Sequence, residues 1–285
     1  MTHNVFGAVV LSLSLLVSGC SNAANKADNQ APIALQMYTL RDSGTLEQQF
    51  AIAQRAGFHA VELVGDQGVS AGEMKRLLNK YRLKAIADHV QLEDLQKDPA
   101  SIIAFNKAIG NKTLVMPWLK LEVRPDSAAE WQQLGHKLDA LGKQLNAQGM
   151  TLAFHNHNFE MKKYEGKTAL DILMESSQPE NLKLELDAAW ASRGGQDPAA
   201  ILSKYKGRIF AIHAKDNSSI GVRDDEMNFA PAGEGLLAWN EILPAAKAAG
   251  TQWYIVEHDK PKDAESIITT ANRFLQPQLA PAAAK

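Results

Sequence analysis

The sequence has a single cysteine, Cys20, among its 285 residues. One cysteine excludes an intramolecular disulfide and any zinc site built from several cysteine thiolates. The formal net charge is −2, so the chain lacks the basic excess that a nucleic-acid partner normally requires. After residue 20, no stretch is long and apolar enough to span a bilayer. Hydrophobic residues nevertheless make up 45% of the chain, which is enough for a sizeable core.

The first twenty residues have features of an export signal. Val5 to Val17 form a short apolar run, and the segment ends in Leu16-Val17-Ser18-Gly19-Cys20. This ending resembles a bacterial lipobox, in which small residues precede a cysteine that is lipidated and becomes the mature N-terminus. Met1 to Asn4 lack the expected lysine or arginine, so the alternative is an ordinary start helix with a chance cysteine.

We predict a lipoprotein signal peptide over residues 1–20, with lipidation at Cys20. The mature protein would lie in the periplasm, held to the membrane only by its lipid. Ser21 follows the cysteine, which by resemblance favours the outer membrane. Small and polar residues indicate a flexible tether over 21–31, and a Pro/Ala-rich composition indicates a disordered tail over 277–285. The folded domain is predicted over 32–276.

From Ile33 onward, short apolar runs alternate with longer segments of helical spacing. Leu46, Phe50 and Ala53 share one helical face, and the segment from Trp131 to Leu145 repeats this pattern. The apolar runs are nearly continuous, as expected of strands that are covered on both faces. They are Ile33–Tyr38, His59–Val64, Leu83–His89, Thr113–Pro117, Thr151–His155, Leu182–Asp187, Arg208–Ala214 and Gln252–Glu257.

Eight such strands, each followed by a helix, predict an α/β fold in which a parallel sheet closes into a (β/α)8 TIM barrel. A doubly wound open sheet is the alternative. That fold normally carries a glycine-rich phosphate loop after its first strand, and the segment 38–42 has no glycine. We therefore expect one closed barrel over roughly Ile33 to Phe274.

Ionisable and aromatic residues end almost every predicted strand. The active site of a TIM barrel forms where the strands end, so we expect these side chains at one rim. Tyr38, Glu62, His89, Trp118 and Trp190 are candidate substrate-binding residues, although plain packing explains the tryptophans equally well. The other polar residues at these ends are His155, His157, Asp187, His213, Lys215, Glu257 and His258.

Three of these residues end the last three predicted strands. Asp187, His213 and Glu257 would be neighbours around the rim, and two carboxylates with one imidazole suit a divalent metal ion. Any one of them alone is more simply explained as a loop cap or an ion-pair partner. Three at successive strand ends favour a metal site. We expect Mn²⁺, with Zn²⁺ as second choice and Co²⁺ or Mg²⁺ as further candidates.

The fourth ligand is open between two residues. Strand five ends in His155-Asn156-His157-Asn158-Phe159-Glu160, where His155 is at the strand tip and Glu160 would have to fold back from the loop. His157 shares a face with His155 if the chain stays extended. A contact with the substrate or with a ligand explains His157 as well as ligation does.

Five short motifs occur in order over about residues 33–274. They are Phe154-His155-Asn156-His157-Asn158-Phe159-Glu160, Leu184-Glu185-Leu186-Asp187-Ala188-Ala189-Trp190, Ile212-His213-Ala214-Lys215-Asp216, Gly233-Glu234-Gly235 and Ile255-Val256-Glu257-His258. Together they resemble the xylose isomerase-like TIM-barrel superfamily, specifically its sugar phosphate isomerase/epimerase branch. In that superfamily a Glu, an Asp, a His and a second Glu bind the metal. Asp187, His213 and Glu257 match directly, but His155 stands at the place of the first Glu.

The resemblance implies a metal-dependent isomerase or epimerase that acts on a sugar or keto-sugar. The metal would polarise a carbonyl oxygen while a base removes a proton from the neighbouring carbon. Glu257 is the expected base, and His155 or His157 the expected acid partner. Lys215 would steady an oxyanion, with a surface ion pair to Asp216 as the alternative.

Other functions are open to the same pattern. Proton abstraction beside a keto group could also expel a leaving group, which would make the protein a lyase or hydratase of a 3-keto-glycoside. A sugar-binding lipoprotein without turnover is a further alternative. DNA repair is disfavoured by the acidic balance and the export signal. The substrate is expected to be a small carbohydrate rather than a sugar phosphate, because no glycine-rich or arginine-rich phosphate cradle is present. The oligomeric state is not encoded in any pattern that we recognise.

Overall fold

In a computed structural model of the chain, the described residues are 1–2 and 30–280. Cys20, most of the predicted signal peptide and tether, and residues 281–285 lie outside them, so the export and lipidation predictions stay predictions. Within the described ranges, no helix is both long and apolar enough to cross a membrane. The chain from Ala31 onward forms one unit.

Eight parallel strands form the centre of this unit. They are β1 (Ile33–Gln36), β2 (Ala60–Val64), β3 (Lys84–His89), β4 (Thr113–Met116), β5 (Thr151–His155), β8 (Lys183–Asp187), β9 (Ile209–Asn217) and β11 (Trp253–Val256). Each strand pairs with its neighbours in sequence, and β11 pairs back onto β1, so the sheet closes. The predicted (β/α)8 barrel is confirmed.

Three short strands lie outside the barrel. β6 (Lys163–Tyr164) and β7 (Lys167–Thr168) form a small hairpin. β10 (Phe229–Pro231) pairs antiparallel with the far end of β9, and this pairing extends β9 to Asn217, beyond the end predicted from the sequence. β1 is shorter than predicted, because the Gln36 side chain accepts a hydrogen bond from the Tyr38 amide and starts a 3-10 turn there.

Helices cover the outside of the barrel. Several begin at a hydroxyl residue that caps them; Thr45 and Gln48 form a reciprocal capping box at the first one. The last helix runs to Leu279 and so enters the segment predicted to be a tail from 277. The helices are α1 (Leu46–Arg55), α2 (Ala71–Lys80), α3 (Leu92–Lys97), α4 (Pro99–Ile109), α5 (Ala128–Asn146), α6 (Ala169–Glu175), α7 (Ala188–Arg193), α8 (Pro198–Lys204), α9 (Trp239–Ala249) and α10 (Ala264–Leu279).

The apolar core has two parts. The larger one lies between the strands and the helices and includes Phe50, Trp131 and Leu184. The smaller one fills the base of the barrel interior, where most residues are small. It consists of Ala34, Ala60, Ile86, Ala87, Val115, Ala153, Phe210, Ala211 and Ile255.

Most strands carry a polar side chain two residues after the apolar residue that they contribute to this inner core. Side chains two residues apart in a strand point to the same face, so these residues also point into the barrel. All of them are buried, which places a polar layer inside the carboxyl-terminal half of the barrel. They are Gln36, Glu62, His89, His155, His213 and Glu257.

Candidate metal centre

The predicted ligands His155, Asp187, His213 and Glu257 come together at the carboxyl-terminal end of the barrel. One donor atom from each lies within 4.8 Å of the other three, and all four side chains are buried. His213 Nδ1 is 2.9 Å from Glu257 Oε2 and 3.9 Å from Asp187 Oδ2. His155 Nε2 is also 3.9 Å from Asp187 Oδ2. The predicted convergence is therefore present, and ligation itself stays a prediction.

Local hydrogen bonds aim the Asp187 carboxylate. Its Oδ1 accepts from the Trp190 amide at 2.8 Å and so caps α7. Its backbone amide donates to Asn156 Oδ1 at 3.0 Å, which ties the end of β8 to the loop after β5. Oδ2 is left facing His155 and His213. It is buried, and its nearest cationic neighbour is the Lys215 ammonium at 2.9 Å, as expected of an atom that is oriented for a cation.

Glu160, the other candidate for the fourth ligand, belongs to neither group of potential ligands among the described residues. It lies in a 3-10 turn, Phe159–Met161, that folds its carboxylate back onto its own loop. There it accepts a hydrogen bond from the His157 amide at 2.8 Å. Burial raises the pKa of Glu160 to about 8. The geometry thus favours His155 over Glu160.

Lys215 places a positive charge between the candidate ligands. Its Nζ lies 2.9 Å from Asp187 Oδ2 and 2.9 Å from Glu257 Oε2, and it also binds Asp259. Burial opposes the charge, but these three carboxylates raise the pKa of Lys215. The alternative of a surface pair with Asp216 is wrong, because Lys215 is buried and the two neighbours in β9 point to opposite faces.

The charges around Lys215 fit a divalent cation. Asp187, Glu257 and Asp259 surround the single ammonium of Lys215, and buried carboxylates need cationic partners. Two imidazoles with two carboxylates are a mixed nitrogen and oxygen donor set. Such a set suits Zn²⁺, Mn²⁺ or Co²⁺ better than Mg²⁺, which prefers oxygen ligands. The residues present therefore fit a divalent metal ion, and the preference for Mn²⁺ stays a prediction.

The same charges set the protonation of the possible acids and bases. Burial disfavours the Glu257 carboxylate, but Lys215 and His213 hold its pKa well below its usual value. Burial and the neighbouring His213 lower the pKa of His155 to about 4. Burial, with His155, lowers the pKa of His157 well below its usual value. Glu257 is thus ionised at neutral pH, as a base must be, whereas both histidines are neutral and hold no spare proton to donate.

Glu62, a candidate substrate-binding residue, has a different position from the one expected. It is the middle residue of β2 rather than its end, and it is fully buried below the rim. Its Oε2 accepts a hydrogen bond from Gln36 at 2.8 Å and lies 2.8 Å from His213 Nε2. Glu62 therefore supports other side chains and does not face the cavity.

Glu185, inside β8, is a site residue that the sequence analysis missed. It is fully buried, and its Oε1 lies 2.9 Å from His89 Nε2 and 3.1 Å from His155 Nδ1. Burial disfavours charge on His89, but Glu62 and Glu185 raise the pKa of His89 to about 10. A signal was present: Glu185 is two residues before Asp187 and so faces the same side of its strand.

A cavity of about 1100 Å³ opens above this centre. Tyr38 and Trp118 stand on its wall with roughly two fifths of their surface exposed, at 41% and 40%. The Trp118 ring meets His157 edge-on at 4.6 Å between centroids. The sequence-predicted residues that line the cavity are Tyr38, His89, Trp118, His155, His157, Trp190 and Glu257.

Charged residues that were not predicted also line the cavity. Arg41 lies over the Tyr38 ring, with 3.9 Å from its guanidinium carbon to the ring centroid. Acidic side chains nevertheless outnumber basic ones on this wall, which favours an uncharged ligand over a phosphorylated one. The acidic side chains are Asp42, Asp66, Asp88, Asp94, Asp98, Glu257 and Asp259, and the basic ones, leaving histidine aside, are Arg41 and Lys260.

The Gly233-Glu234-Gly235 motif has a structural role beside the site. Gly233 and Gly235 each donate an amide hydrogen bond to Asp216 Oδ2 at 3.1 Å. A side chain at position 235 would collide with this carboxylate, since a Cβ there would lie 2.2 Å from Asp216 Oδ1. Because the carboxylate already occupies these amides, the loop is not a free phosphate cradle.

Comparison with protein families gives an assignment that agrees with the barrel and its polar rim. Residues 50–278 match the family model described as a xylose isomerase-like TIM barrel. The chain belongs to this family. The family assignment confirms the resemblance seen in the sequence motifs, and solved structures described as sugar phosphate isomerase/epimerases are among its structural neighbours.

Individual members of the family carry several activities. The chain is 28% identical over 144 residues to an inosose dehydratase of Geobacillus thermodenitrificans, and the match covers 46% of this chain and 48% of that protein. The chain thus spans about half the length of the curated relatives it matches. A sugar phosphate isomerase/epimerase from Parabacteroides distasonis superposes with a TM-score of 0.75 at 19% identity, covering 90% of this chain and 97% of that one.

A third similar protein is described as containing a metal. The IOLI protein with a bound zinc atom superposes with a TM-score of 0.66 at 18% identity, covering 85% of this chain and 95% of that one. At these identities the structural matches establish the fold alone. The proteins to which this chain is similar are described as isomerases, epimerases and dehydratases, and the site itself must carry any finer assignment.

Proposed function

We propose that this protein is a metal-dependent isomerase or epimerase of an uncharged sugar or keto-sugar. The observation that carries the proposal is the convergence of His155, Asp187, His213 and Glu257 within 4.8 Å, beneath a large cavity that His155 and Glu257 line. These four residues would hold the ion. When bound, a divalent ion supplies a Lewis acid that polarises a carbonyl or hydroxyl oxygen of the substrate.

Glu257 is the proposed base. It is ionised, it lines the cavity, and it would take a proton from the carbon next to the carbonyl group. The electrons of the broken C–H bond form the double bond of an enolate. The ammonium of Lys215, 2.9 Å from Glu257 Oε2, would stabilise the negative oxygen. Return of the proton from Glu257 to the former carbonyl carbon, with transfer of the neighbouring hydroxyl proton to the former carbonyl oxygen, completes an isomerisation.

Epimerisation would need a group on the other face of the same carbon. His157 lines the cavity, and its buried Nδ1 has no hydrogen-bond partner among the described residues. Its lowered pKa keeps the ring neutral, so it could take the proton from that face, and a proton that Glu257 takes up from water would then be delivered to the opposite face to give the epimer. This assignment replaces the acid role that the sequence suggested for His155 and His157.

Dehydration is the second candidate. The curated relatives named inosose dehydratase favour it, although each is matched over only about half of its length. The first step would be the same proton abstraction by Glu257. The enolate would then expel the hydroxyl group on the next carbon, and that group would leave as water with the proton that Glu257 had taken.

Solvent deuterium exchange on a panel of free sugars and keto-sugars tests the proposal. The wild-type protein loaded with Zn²⁺, Mn²⁺ or Co²⁺ should introduce deuterium beside the carbonyl of its substrate, and Asp187→Ala should lose both the metal and the exchange. Isomerisation or epimerisation conserves the atoms of the substrate, whereas dehydration yields a product without one water. Sugar binding with no exchange in any loaded form would indicate a binding protein instead, and full exchange by Asp187→Ala would contradict the site.

A further inference from the structure

Two buried glutamates lie beneath the candidate metal centre and take no part in the proposed proton transfer. Glu62 and Glu185, the inner carboxylates, come from β2 and β8 and are fully buried in the barrel interior. Burying two carboxylates is costly unless each has close hydrogen-bond donors. Their position therefore calls for partners that a purely apolar barrel core would not supply.

Those partners are imidazole rings. Glu185 Oε1 lies 2.9 Å from His89 Nε2, 3.1 Å from His155 Nδ1 and 2.9 Å from His213 Nε2. Glu62 Oε2 lies 2.8 Å from His213 Nε2 and 3.2 Å from His89 Nε2. Each of the three rings thus has one nitrogen against an inner carboxylate.

The opposite nitrogens of His155 and His213 face the centre above. His155 turns Nε2 towards Asp187 Oδ2, at 3.9 Å. His213 turns Nδ1 towards Glu257 Oε2, at 2.9 Å. A ring nitrogen within hydrogen-bond distance of a carboxylate carries a proton and donates it. His155 Nε2 has no carboxylate that close, so it keeps its lone pair for a metal. Both nitrogens of His213 lie within 2.9 Å of carboxylates, so an ion would have to displace the proton on Nδ1. The two histidines would therefore present different nitrogens, Nε2 from His155 and Nδ1 from His213.

We propose that Glu62 and Glu185 are positioning residues, which fix the orientation of His155 and His213 and decide which nitrogen of each ring binds the ion. This inference rests on the proposed metal centre above them. The alternative is a second ion between His89, His155, Glu185 and His213, whose donor atoms also lie within 4.8 Å of one another. The nitrogen-to-oxygen distances around Glu185 are those of hydrogen bonds, which favours the positioning role.

Isosteric variants of the full chain test the role. Glu185→Gln and Glu62→Gln keep the side-chain volume but replace one carboxylate oxygen with an amide donor. We expect each to bind Zn²⁺ about 10- to 100-fold more weakly than wild type, as loss of such outer partners typically does. Glu226→Gln is the matched control. It is also a buried glutamate, but its hydrogen bonds go to Arg223 and the Lys262 amide, so its Zn²⁺ affinity should equal that of wild type.

Nitrogen-15 NMR of the histidine side chains gives a readout that a merely structural role would not move. In the Zn²⁺-loaded wild type, the ring proton should be on Nδ1 of His155 and on Nε2 of His213. Three results would each overturn the inference. The first is the opposite pattern of ring protons, and the second is two ions per chain. The third is unchanged affinity and unchanged ring states in folded Glu185→Gln and Glu62→Gln. Should Glu185→Gln fail to fold, Glu185→Asp withdraws the charge by one methylene and should show the same loss of affinity.

The design separates this inference from the function on which it rests. If the wild-type protein binds no divalent metal, the metal centre fails. The position of the ring proton of His155 in the metal-free protein then decides the inference. A proton on Nδ1 that leaves Nδ1 in Glu185→Gln supports it, and a proton on Nε2 in the wild type overturns it. If the wild type binds metal and Glu185→Gln binds it equally well, the positioning role fails while the proposed function stands.

Discussion

Asp216 gives the sharpest test of how the loop beside the site is held. This buried carboxylate accepts hydrogen bonds from five donors. Oδ1 accepts from the amides of Asn217 at 2.8 Å and Leu237 at 2.9 Å. Oδ2 accepts from the amides of Gly233 and Gly235 at 3.1 Å and from the Trp239 indole at 2.7 Å. We expect Asp216→Asn to be strongly destabilising, although it preserves the shape of the side chain.

The magnitude follows from this count of donors. In Asp216→Asn one oxygen becomes an amide group, so at least two N–H groups that donate to this buried carboxylate lose their acceptor whichever way the amide is turned. Each unsatisfied buried donor costs about 1–3 kcal/mol. The free energy of unfolding should therefore fall by about 2–6 kcal/mol, a large share of the ~5–15 kcal/mol that a typical domain has.

Urea denaturation followed by tryptophan fluorescence measures this loss. Asp225→Asn serves as a control, because Asp225 is an exposed residue whose partner is Lys262, and such surface pairs contribute little to stability. Hydrogen exchange at Gly233 and Gly235 should also become faster in Asp216→Asn. A change below about 0.5 kcal/mol with unchanged exchange would show that the carboxylate does not organise the loop.

Two further predictions concern Glu160 and Cys20. Burial raises the folded-state pKa of Glu160 to about 8 from an ordinary value of 4.5. Between these pH values the folded state keeps a proton that the unfolded state has released. The free energy of unfolding should therefore fall as the pH rises, by up to ~1.4 kcal/mol per pH unit. In thermal melts from pH 5 to 8, the wild type should lose stability with rising pH more steeply than Glu160→Gln does, and parallel curves would refute the shift. Cys20→Ala should leave an unprocessed precursor without lipid; processing and membrane fractionation like those of wild type would end the lipoprotein hypothesis.

The sequence alone supports much of the fold. Its eight apolar runs are broken by helices at regular intervals, and a parallel strand can bury both faces only when helices cover it. The ends of the strands were less certain, because they depend on contacts that are distant in sequence. β9 reaches Asn217 only because β10 pairs with it, and β1 stops at Gln36 because that side chain caps the following turn.

The candidate site divides in the same way. Asp187, His213 and Glu257 could be chosen from the sequence, because polar residues at the ends of consecutive parallel strands must meet at one rim. Glu185 was overlooked because it lies inside an apolar strand, and a carboxylate there has no explanation until the rings of His89, His155 and His213 surround it. The sequence thus determined which elements form and which end of the barrel is polar, since these follow from periodicity within each segment. Only the tertiary structure brought His155, rather than Glu160, to the other candidate ligands and gave the inner carboxylates their partners, because both depend on distances between side chains that closure of the barrel brings together.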